Sequence, residues 1–166
     1  MGKKNMPLVL ASIICVVSIV IMIAVLLFSS GNSEPAAFTP PPFDENAIQG
    51  VPNVPEDLGW NELDVQAYKV SVCGVIIPSG NIADIWLTNP ESNIAWLKLR
   101  VLDSYGNILG ETGLIKPGEY VQSVTLTEVP KAGSQIGLKI MAYQPDTYYS
   151  EGSATLNTTI SEGGAR

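Results

Sequence analysis

The eight residues AWLKLRVL, Ala95 to Leu102, decide the fold, because apolar side chains occupy every second position. This period of two is typical of a β-strand, in which successive side chains point to opposite faces of a sheet. One face is entirely apolar and is predicted to line a core, through Ala95, Leu97, Leu99 and Val101. The other face is predicted to see solvent and carries Trp96, Lys98 and Arg100.

Six further runs rich in Val, Ile, Leu and Tyr lie on either side of this strand. They are Tyr68–Cys73, Asn81–Thr88, Ile108–Leu114, Tyr120–Leu126, Ile136–Tyr143 and Ala154–Ile160. Turn-forming residues separate them, including Asn89-Pro90, Asp103 to Asn107 and Lys116-Pro117-Gly118-Glu119. Short strands at this spacing, without a helical period, predict an all-β, seven-stranded sandwich of the immunoglobulin or fibronectin type III kind over residues 59–161.

Residues 8–28 form the longest apolar run and contain no charge, Gly or Pro. As a helix the run would span roughly 31 Å, the thickness of a bilayer core. Lys3 and Lys4 precede the run and acids follow it, so the positive-inside rule places the amino end, residues 1–7, in the cytoplasm. We expect an uncleaved transmembrane helix. A cleaved signal peptide ending at Ser29-Ser30-Gly31 is the alternative, although its apolar region would be shorter.

Residues 29–58 are predicted to be a disordered spacer, because they are rich in proline and acids and show little apolar periodicity. The triple proline at 40–42 is locally stiff polyproline II, which is either a spacer element or a ligand for a proline-binding domain. An outward-facing segment favours the spacer. Residues 162–166 are predicted to be a short tail.

Charge and cysteine usage restrict the partners and the compartment. After the apolar run the chain has seven bases against sixteen acids, a formal charge of about −9, which argues against nucleic acid as a partner. Cys15 lies in the apolar run, so the outer part, with Cys73 alone, cannot close an internal disulfide. Small secreted domains without disulfides favour a bacterial plasma membrane, most simply that of a Gram-positive cell, with the domain outside.

Catalytic chemistry has little support in the sequence. There is no histidine, which removes the commonest general base and transition-metal ligand. Cys73 occupies a strand position with no base placed beside it and is expected to be structural. Asp103 and Asn107 are expected to form a plain turn, because a calcium loop would need alternating carboxylates. We therefore predict no enzyme activity, no cofactor and no metal.

Aromatic residues carry the remaining functional signal. Trp96 lies on the outward face of its strand, and Tyr143, Tyr148 and Tyr149 flank the loop before the last strand. Exposed aromatic rings on a sandwich can stack on sugars or anchor a protein partner. These four residues are the predicted binding surface. The alternative is that Trp96 covers an edge of the sheet while the tyrosines pack the loop.

The turn and strand motifs carry a resemblance over Tyr68 to Ile160. An NP-x-x-N turn at 89–93, a D-x-x-GN hairpin at 103–107, an I-K-PG turn at 115–118 and a late A-Y strand at 142–143 follow one another in that order. In this the chain resembles small membrane-anchored surface proteins of Firmicutes. The resemblance implies one extracellular β-sandwich behind an N-terminal anchor, and it implies no particular activity.

Three functions remain open from the sequence. The first is a non-catalytic, single-pass surface protein that contacts membrane lipid through residues 8–28 and presents its sandwich for protein binding or assembly. The second is a carbohydrate-binding module that contacts the cell wall or host glycans. The third is an accessory subunit of a membrane-embedded secretion or conjugation machine, in which the helix itself is the contact.

Overall fold

The structure is a computed structural model that describes residues 15–25 and 38–162. The chain divides into two units, with the boundary between Thr39 and Pro40. Residues 15–25 are helical. In the described ranges, no helix combines the length and the apolar character needed to cross a bilayer. Of the predicted span 8–28, residues 8–14 and 26–28 lie outside these ranges, as do residues 1–7, residues 29–37 of the spacer and residues 163–166 of the tail.

The second unit contains two antiparallel sheets. Sheet 1 is formed by β1 (Ile48–Gln49), β2 (Trp60–Val65), β3 (Tyr68–Cys73), β4 (Pro78–Ser79), β5 (Ile82–Thr88) and β8 (Glu119–Thr125). Its order is β1-β8-β5-β3-β2, with β4 also paired to β5. Sheet 2 is formed by β6 (Trp96–Leu102), β7 (Ile108–Glu111), β9 (Gln135–Tyr143) and β10 (Ser150–Thr159). Its order is β10-β9-β6-β7.

The two sheets share one hydrophobic core, which the alternation of side chains predicts. On β6 the inward residues Leu97, Leu99 and Val101 are 1% exposed or less. Tyr68 on β3 extends into the core, where its hydroxyl donates to the carbonyl of Ile140 on β9 at 3.2 Å. The remaining core side chains come from both sheets, among them Val70, Val72, Ile85, Leu87, Val121 and Leu138. The prediction of an all-β sandwich is thus confirmed.

A β-bulge interrupts sheet 1 in the middle of β5. The register with β8 shifts between Asp84 and Leu87, and Trp86 within this interval has a φ of 47°. A left-handed backbone is costly for a side chain with a Cβ, so the surrounding contacts must hold it. The Trp86 carbonyl accepts a hydrogen bond from the Trp60 indole at 3.1 Å. The Trp86 ring stacks on Tyr120, with the ring centroids 6.1 Å apart.

The predicted spacer is wrong for residues 40–58, which belong to the second unit. Pro42 to Gly50 form a strap along the sandwich: Phe43 pairs with Leu114 beside sheet 2, and Ile48 pairs with Tyr120 in sheet 1. Leu58, at the end of a short 3-10 helix, is 3% exposed. Residues 40–58 show little of the alternation expected of a strand. They are ordered because they pair with strand edges that the rest of the sandwich provides.

The strap depends on a glycine. The Asp44 carboxylate accepts from the Gly113 amide at 2.7 Å, and the Asp44 amide donates to the Leu114 carbonyl at 2.9 Å. A Cβ on Gly113 would overlap the backbone of Phe43 and Asp44. The strap can therefore approach this closely only because residue 113 has no side chain.

The seven predicted strands coincide with β3 and β5–β10, whereas β1, β2 and β4 were not predicted. Strand β2 has the sequence WNELDV, whose two acids hide its alternation. It pairs with β3 along its whole length, from Trp60 opposite Cys73 to Val65 opposite Tyr68. An edge strand of this kind is stabilised by the neighbour that it joins, which a reading of its own composition underestimates.

Candidate binding surface

The outer face of sheet 2 contains most of the predicted site. Because the inward residues of β6 are buried, Trp96, Lys98 and Arg100 lie on the opposite face, as predicted. On β9 they stand opposite Tyr143, Met141 and Lys139, respectively. This face therefore consists of successive rows, with an aromatic row at one end and cationic rows beside it.

Trp96 is the centre of an aromatic cluster. Its ring centroid lies 5.4 Å from that of Tyr148, with the planes inclined by 65°. Phe43 from the strap lies on it at 4.8 Å and 73°. Both contacts are edge-to-face, the geometry that aromatic quadrupoles favour. Phe43 was not predicted, because it falls in the presumed spacer; the signal that could have indicated it is an aromatic residue directly after three prolines.

The three predicted tyrosines occupy different environments. Tyr148 packs on Trp96 and has a φ of 57°, in the turn that joins β9 to β10. Tyr143 is half-buried opposite Trp96, with its hydroxyl 3.7 Å from the Met141 sulfur. Tyr149 is 72% exposed. The structure thus brings Trp96, Tyr143 and Tyr148 together and leaves Tyr149 at the surface beside them in the chain.

Lys98 departs from the prediction that its face sees solvent, since its side chain is only 7% exposed. Its Nζ lies 2.9 Å from one oxygen of Glu111, and Arg100 Nε lies 2.8 Å from the other. Burial alone would raise the pKa of Glu111, but the hydrogen bonds from Lys98 and Arg100, together with their charges, hold it below its usual value. One carboxylate therefore serves two cations.

A cleft of about 540 Å³ adjoins the cationic rows at the end of β6. Gly137 follows on the same face two residues before Lys139, and its lack of a side chain keeps the floor low beside Thr155 and Asn157. The lining groups include hydroxyls and amides, from Ser104, Gln135, Thr155 and Asn157. Such groups both donate and accept hydrogen bonds.

The NP-x-x-N motif has a structural role. Asn89 is fully buried, and its side-chain amide donates to the carbonyls of Ala95 at 2.9 Å and Ile115 at 3.1 Å. Asn93 donates to the Asn89 side-chain oxygen at 2.7 Å, and its own oxygen accepts from the Lys69 amide at 2.9 Å. These bonds join the end of β5 in sheet 1 to the start of β6 in sheet 2.

The Asp103 turn is built from hydrogen bonds within the hairpin. Its carboxylate accepts from the Tyr105 and Asn107 amides, both at 2.8 Å, and from the Asn107 side chain at 2.7 Å. The Asn107 side-chain hydrogen bond is the main reason that the pKa of Asp103 is lowered. Both carboxylate oxygens are thus engaged by the turn itself, and this supports the prediction of a plain turn.

Cys73 is fully buried on β3. Burial, with a smaller effect from the charge of Asp84, raises the pKa of its thiol to about 12. At neutral pH the group is a protonated thiol that behaves as a small apolar side chain. Over residues 15–25 and 38–162, there is no group of three or more Cys, Asp or Glu side chains placed to hold a metal ion.

No model of a protein family matches the chain, and no curated protein matches it significantly.

Proposed function

We propose that the chain is a non-catalytic, single-pass protein of a bacterial surface, of the Firmicutes type, and that its sandwich binds a protein partner. The contact is the aromatic end, defined as Phe43, Trp96, Tyr143, Tyr148 and Tyr149. The proposal rests on the half-buried ring cluster and on Tyr149, which directly follows Tyr148 of that cluster in the chain and is 72% exposed. Rigid aromatic anchors beside accessible ones are typical of protein contacts.

The strand order supports an assignment to the immunoglobulin or fibronectin type III class. In that class the second and fifth strands are neighbours in one sheet, while the third, sixth and seventh are neighbours in the other. Here β5 lies beside β8, and β6, β9 and β10 lie side by side. The strap, β2 and β4 are additions to this plan. Sandwiches of this class commonly serve as binding modules on cell surfaces, which agrees with the proposed role.

The geometry of the rings favours protein over a neutral sugar at the aromatic end. A sugar stacks on an open, flat ring face, but Trp96 is contacted edgewise from Phe43 and Tyr148. Lys116 lies over Phe43, with its Nζ 4.6 Å from the ring centroid. The rings therefore pack on one another rather than forming an open platform, and such a cluster suits a complementary pocket on a protein.

The membrane topology can be tested on intact cells that produce the full chain. Tyr105 is 90% exposed, so Tyr105→Cys provides a reactive thiol at the surface of the sandwich. A membrane-impermeant maleimide should label this variant before lysis. Both proteins carry Cys15→Ser, because Cys15 is also a free cysteine, and the chain that keeps Tyr105 is the control. The control should stay unlabelled, because Cys73 is buried and its pKa is about 12. Labelling of Tyr105→Cys only after lysis would contradict the outward orientation.

The contact surface can be tested by photo-crosslinking in the same cells. A photoreactive phenylalanine at position 149 should give a discrete protein adduct, and Trp96→Ala should abolish that adduct by removing the cluster. The same photoreactive residue at position 105, where the tyrosine is even more exposed than Tyr149, should give none. Equal adducts at both positions, or an adduct that persists in Trp96→Ala, would argue against the aromatic end as the contact.

A further inference from the structure

The cationic rows on the outer face of sheet 2 are unusual for this protein. The outer part of the chain carries about −9 formal charge, yet Lys98, Arg100 and Lys139 occupy adjacent positions on one face of two neighbouring strands. Glu111 is the carboxylate paired with two of them. Within residues 15–25 and 38–162, Lys139 forms no ion pair. This strip of three cations is thus locally positive on an acidic domain.

Two of these cations face each other directly. Arg100 on β6 is in register with Lys139 on β9. Directly opposed side chains on an antiparallel pair have Cβ atoms about 5 Å apart, and like charges at that distance destabilise the pair. A single phosphate or carboxylate group is small enough to be reached by both side chains. Glu111 pairs with Arg100 from the β7 side, so a further anion would be held on the β9 side, beside Lys139.

Lys98 strengthens the field at this position. Its side chain is 7% exposed although it lies on an outer face, with Met141 opposite it on β9. Water screens a buried charge less than an exposed one. Glu111 is 41% exposed and is shared, so it compensates the strip only in part.

The cleft extends the strip toward a second kind of chemistry. Thr155 stands opposite Lys139 on β10 and also lines the cleft. Beyond it, Asn157, Ser104 and Gln135 supply hydroxyl and amide groups over the low floor at Gly137. A ligand whose anionic group lies on the strip would therefore place its next groups beside hydrogen-bonding side chains, in a cleft that Leu102, Ile136 and the Asp103 carboxylate also line.

We propose that the Arg100–Lys139 strip and the adjoining cleft bind an anionic, hydroxyl-rich polymer. Its charged group, a phosphodiester or a carboxylate, is held between Arg100 and Lys139, and its hydroxyls bond to Thr155 and Asn157. This site is separate from the aromatic end. It adds a second ligand to the proposed surface protein and rests on that function only for the location of the polymer outside the cell.

The test uses the full chain in zwitterionic nanodiscs. Affinity is measured for poly(glycerol phosphate) and polygalacturonate, which separate the two sources of negative charge, and for dextran and polyglutamate as neutral and peptidic probes. We expect binding of at least one of the two anionic polyols, weakening as salt is raised. Lys139→Gln should lower that affinity about tenfold, the loss of one charge-assisted contact. Lys139→Arg should retain it.

Matched controls separate binding from folding. Lys69→Gln makes the same charge change on sheet 1 and should leave the affinity unchanged. Lys139→Gln should also keep or raise the melting temperature, since it removes a like-charge opposition. Asn157→Ala should weaken binding of the polyols through the cleft. Tyr149→Ser should not affect the polymer, so failure of the aromatic contact and failure of this site are distinguishable.

Three results would overturn the proposal. The first is binding of neither anionic polyol. The second is an affinity that Lys139→Gln and Lys69→Gln change equally. The third is binding of polyglutamate as tightly as the polyols, which would show that the strip recognises charge alone and that the cleft takes no part.

Discussion

Sheets 1 and 2 enclose the same core, but their central strand pairs differ in regularity, and the register shifts of sheet 2 lie outside its central pair, between β6 and β7 and between β9 and β10. In sheet 2, β6 and β9 pair without interruption over seven positions, from Trp96 opposite Tyr143 to Leu102 opposite Gly137. In sheet 1, β5 is bulged against β8 and pairs with β3 at the single position of Ser71 and Thr88. Because the β6–β9 pairing is uninterrupted, the outward-facing side chains of these two strands lie in successive rows, which carry the aromatic and charged groups of sheet 2. In sheet 1, the bulge in β5 and the short pairing of β5 with β3 interrupt such rows.

The ion pairs of the two outer faces show the same contrast. On sheet 1, Lys69 and Glu62 lie 3.3 Å apart, with side chains 45% and 51% exposed. On sheet 2, Lys98 and Glu111 lie 2.9 Å apart, with the lysine 7% exposed. Exposed pairs gain little because water screens them, whereas a buried charge depends on its partner. The same pair of residue types is therefore expected to have different energetic weight on the two faces.

The largest effect is predicted at Asn89, which ties the two sheets together. Asn89→Ala removes three side-chain hydrogen bonds at a fully buried position, including the one to the Ala95 carbonyl, whereas the Ile115 carbonyl keeps its hydrogen bond from the Leu97 amide. We expect the free energy of unfolding to fall by about 3 kcal/mol, measured by urea denaturation. The exposed Asn61→Ala is the control and should lose about 0.5 kcal/mol. Equal losses of unfolding free energy in the two variants would show that the Asn89 hydrogen bonds do not stabilise the junction of the two sheets.

The second effect concerns the buried lysine of sheet 2. Glu111→Gln leaves Lys98 charged and without its carboxylate, so the free energy of unfolding should fall by about 2 kcal/mol, discounted because Glu111 is itself partly exposed. The pKa of Glu111 is lowered on folding from its ordinary value of 4.5. Its stabilisation is therefore present above that pH and is lost as pH falls through the lower folded value.

Denaturation of the Glu111→Gln variant at a series of pH values tests this cause. The unmodified chain should lose stability below about pH 4.5, and the variant should lose less of it over the same interval. Parallel pH curves for the two proteins would contradict the assignment of the acid-sensitive stability to Glu111.

The regularity of sheet 2 also explains what could be predicted from the sequence. Strand β6 alternates cleanly because its inner face is buried throughout, and the pattern identifies its core residues correctly. Strand β2 and the strap were missed because their pairing comes from neighbours distant in the chain, such as Leu114 for Phe43. The composition of a segment indicates how much apolar surface the segment can bury by itself. It does not indicate whether the edge of a distant strand is available for pairing.

The candidate surface was predictable to a similar degree. Alternation placed Trp96, Lys98 and Arg100 on one face correctly, but it could not predict that Lys98 is buried there. The register between strands sets which side chains adjoin Lys98, and this register cannot be read from the sequence of any one strand. The opposition of Arg100 and Lys139 was hidden for the same reason.

The third prediction addresses the bulge that makes sheet 1 irregular. At Trp86 the φ of 47° penalises any residue with a Cβ, so Trp86→Gly should be more stable than Trp86→Ala by about 0.5–1 kcal/mol. Both variants lose the stacking on Tyr120, so their difference isolates the backbone strain. The same pair of substitutions at Arg100, in the regular ladder, should give the opposite order. Alanine more stable than glycine at both positions would refute the strained bulge.

The smallest effect is expected for the exposed pair of sheet 1. Glu62→Gln should change the free energy of unfolding by less than about 0.5 kcal/mol, because solvent already competes for both side chains and holding them together costs conformational entropy. Raising the salt concentration should reduce even this difference. Urea denaturation beside Glu111→Gln, under the same conditions, provides the measurement. A loss at Glu62 as large as that at Glu111 would remove the distinction between the two faces, because exposure would then have no bearing on the energy of either ion pair.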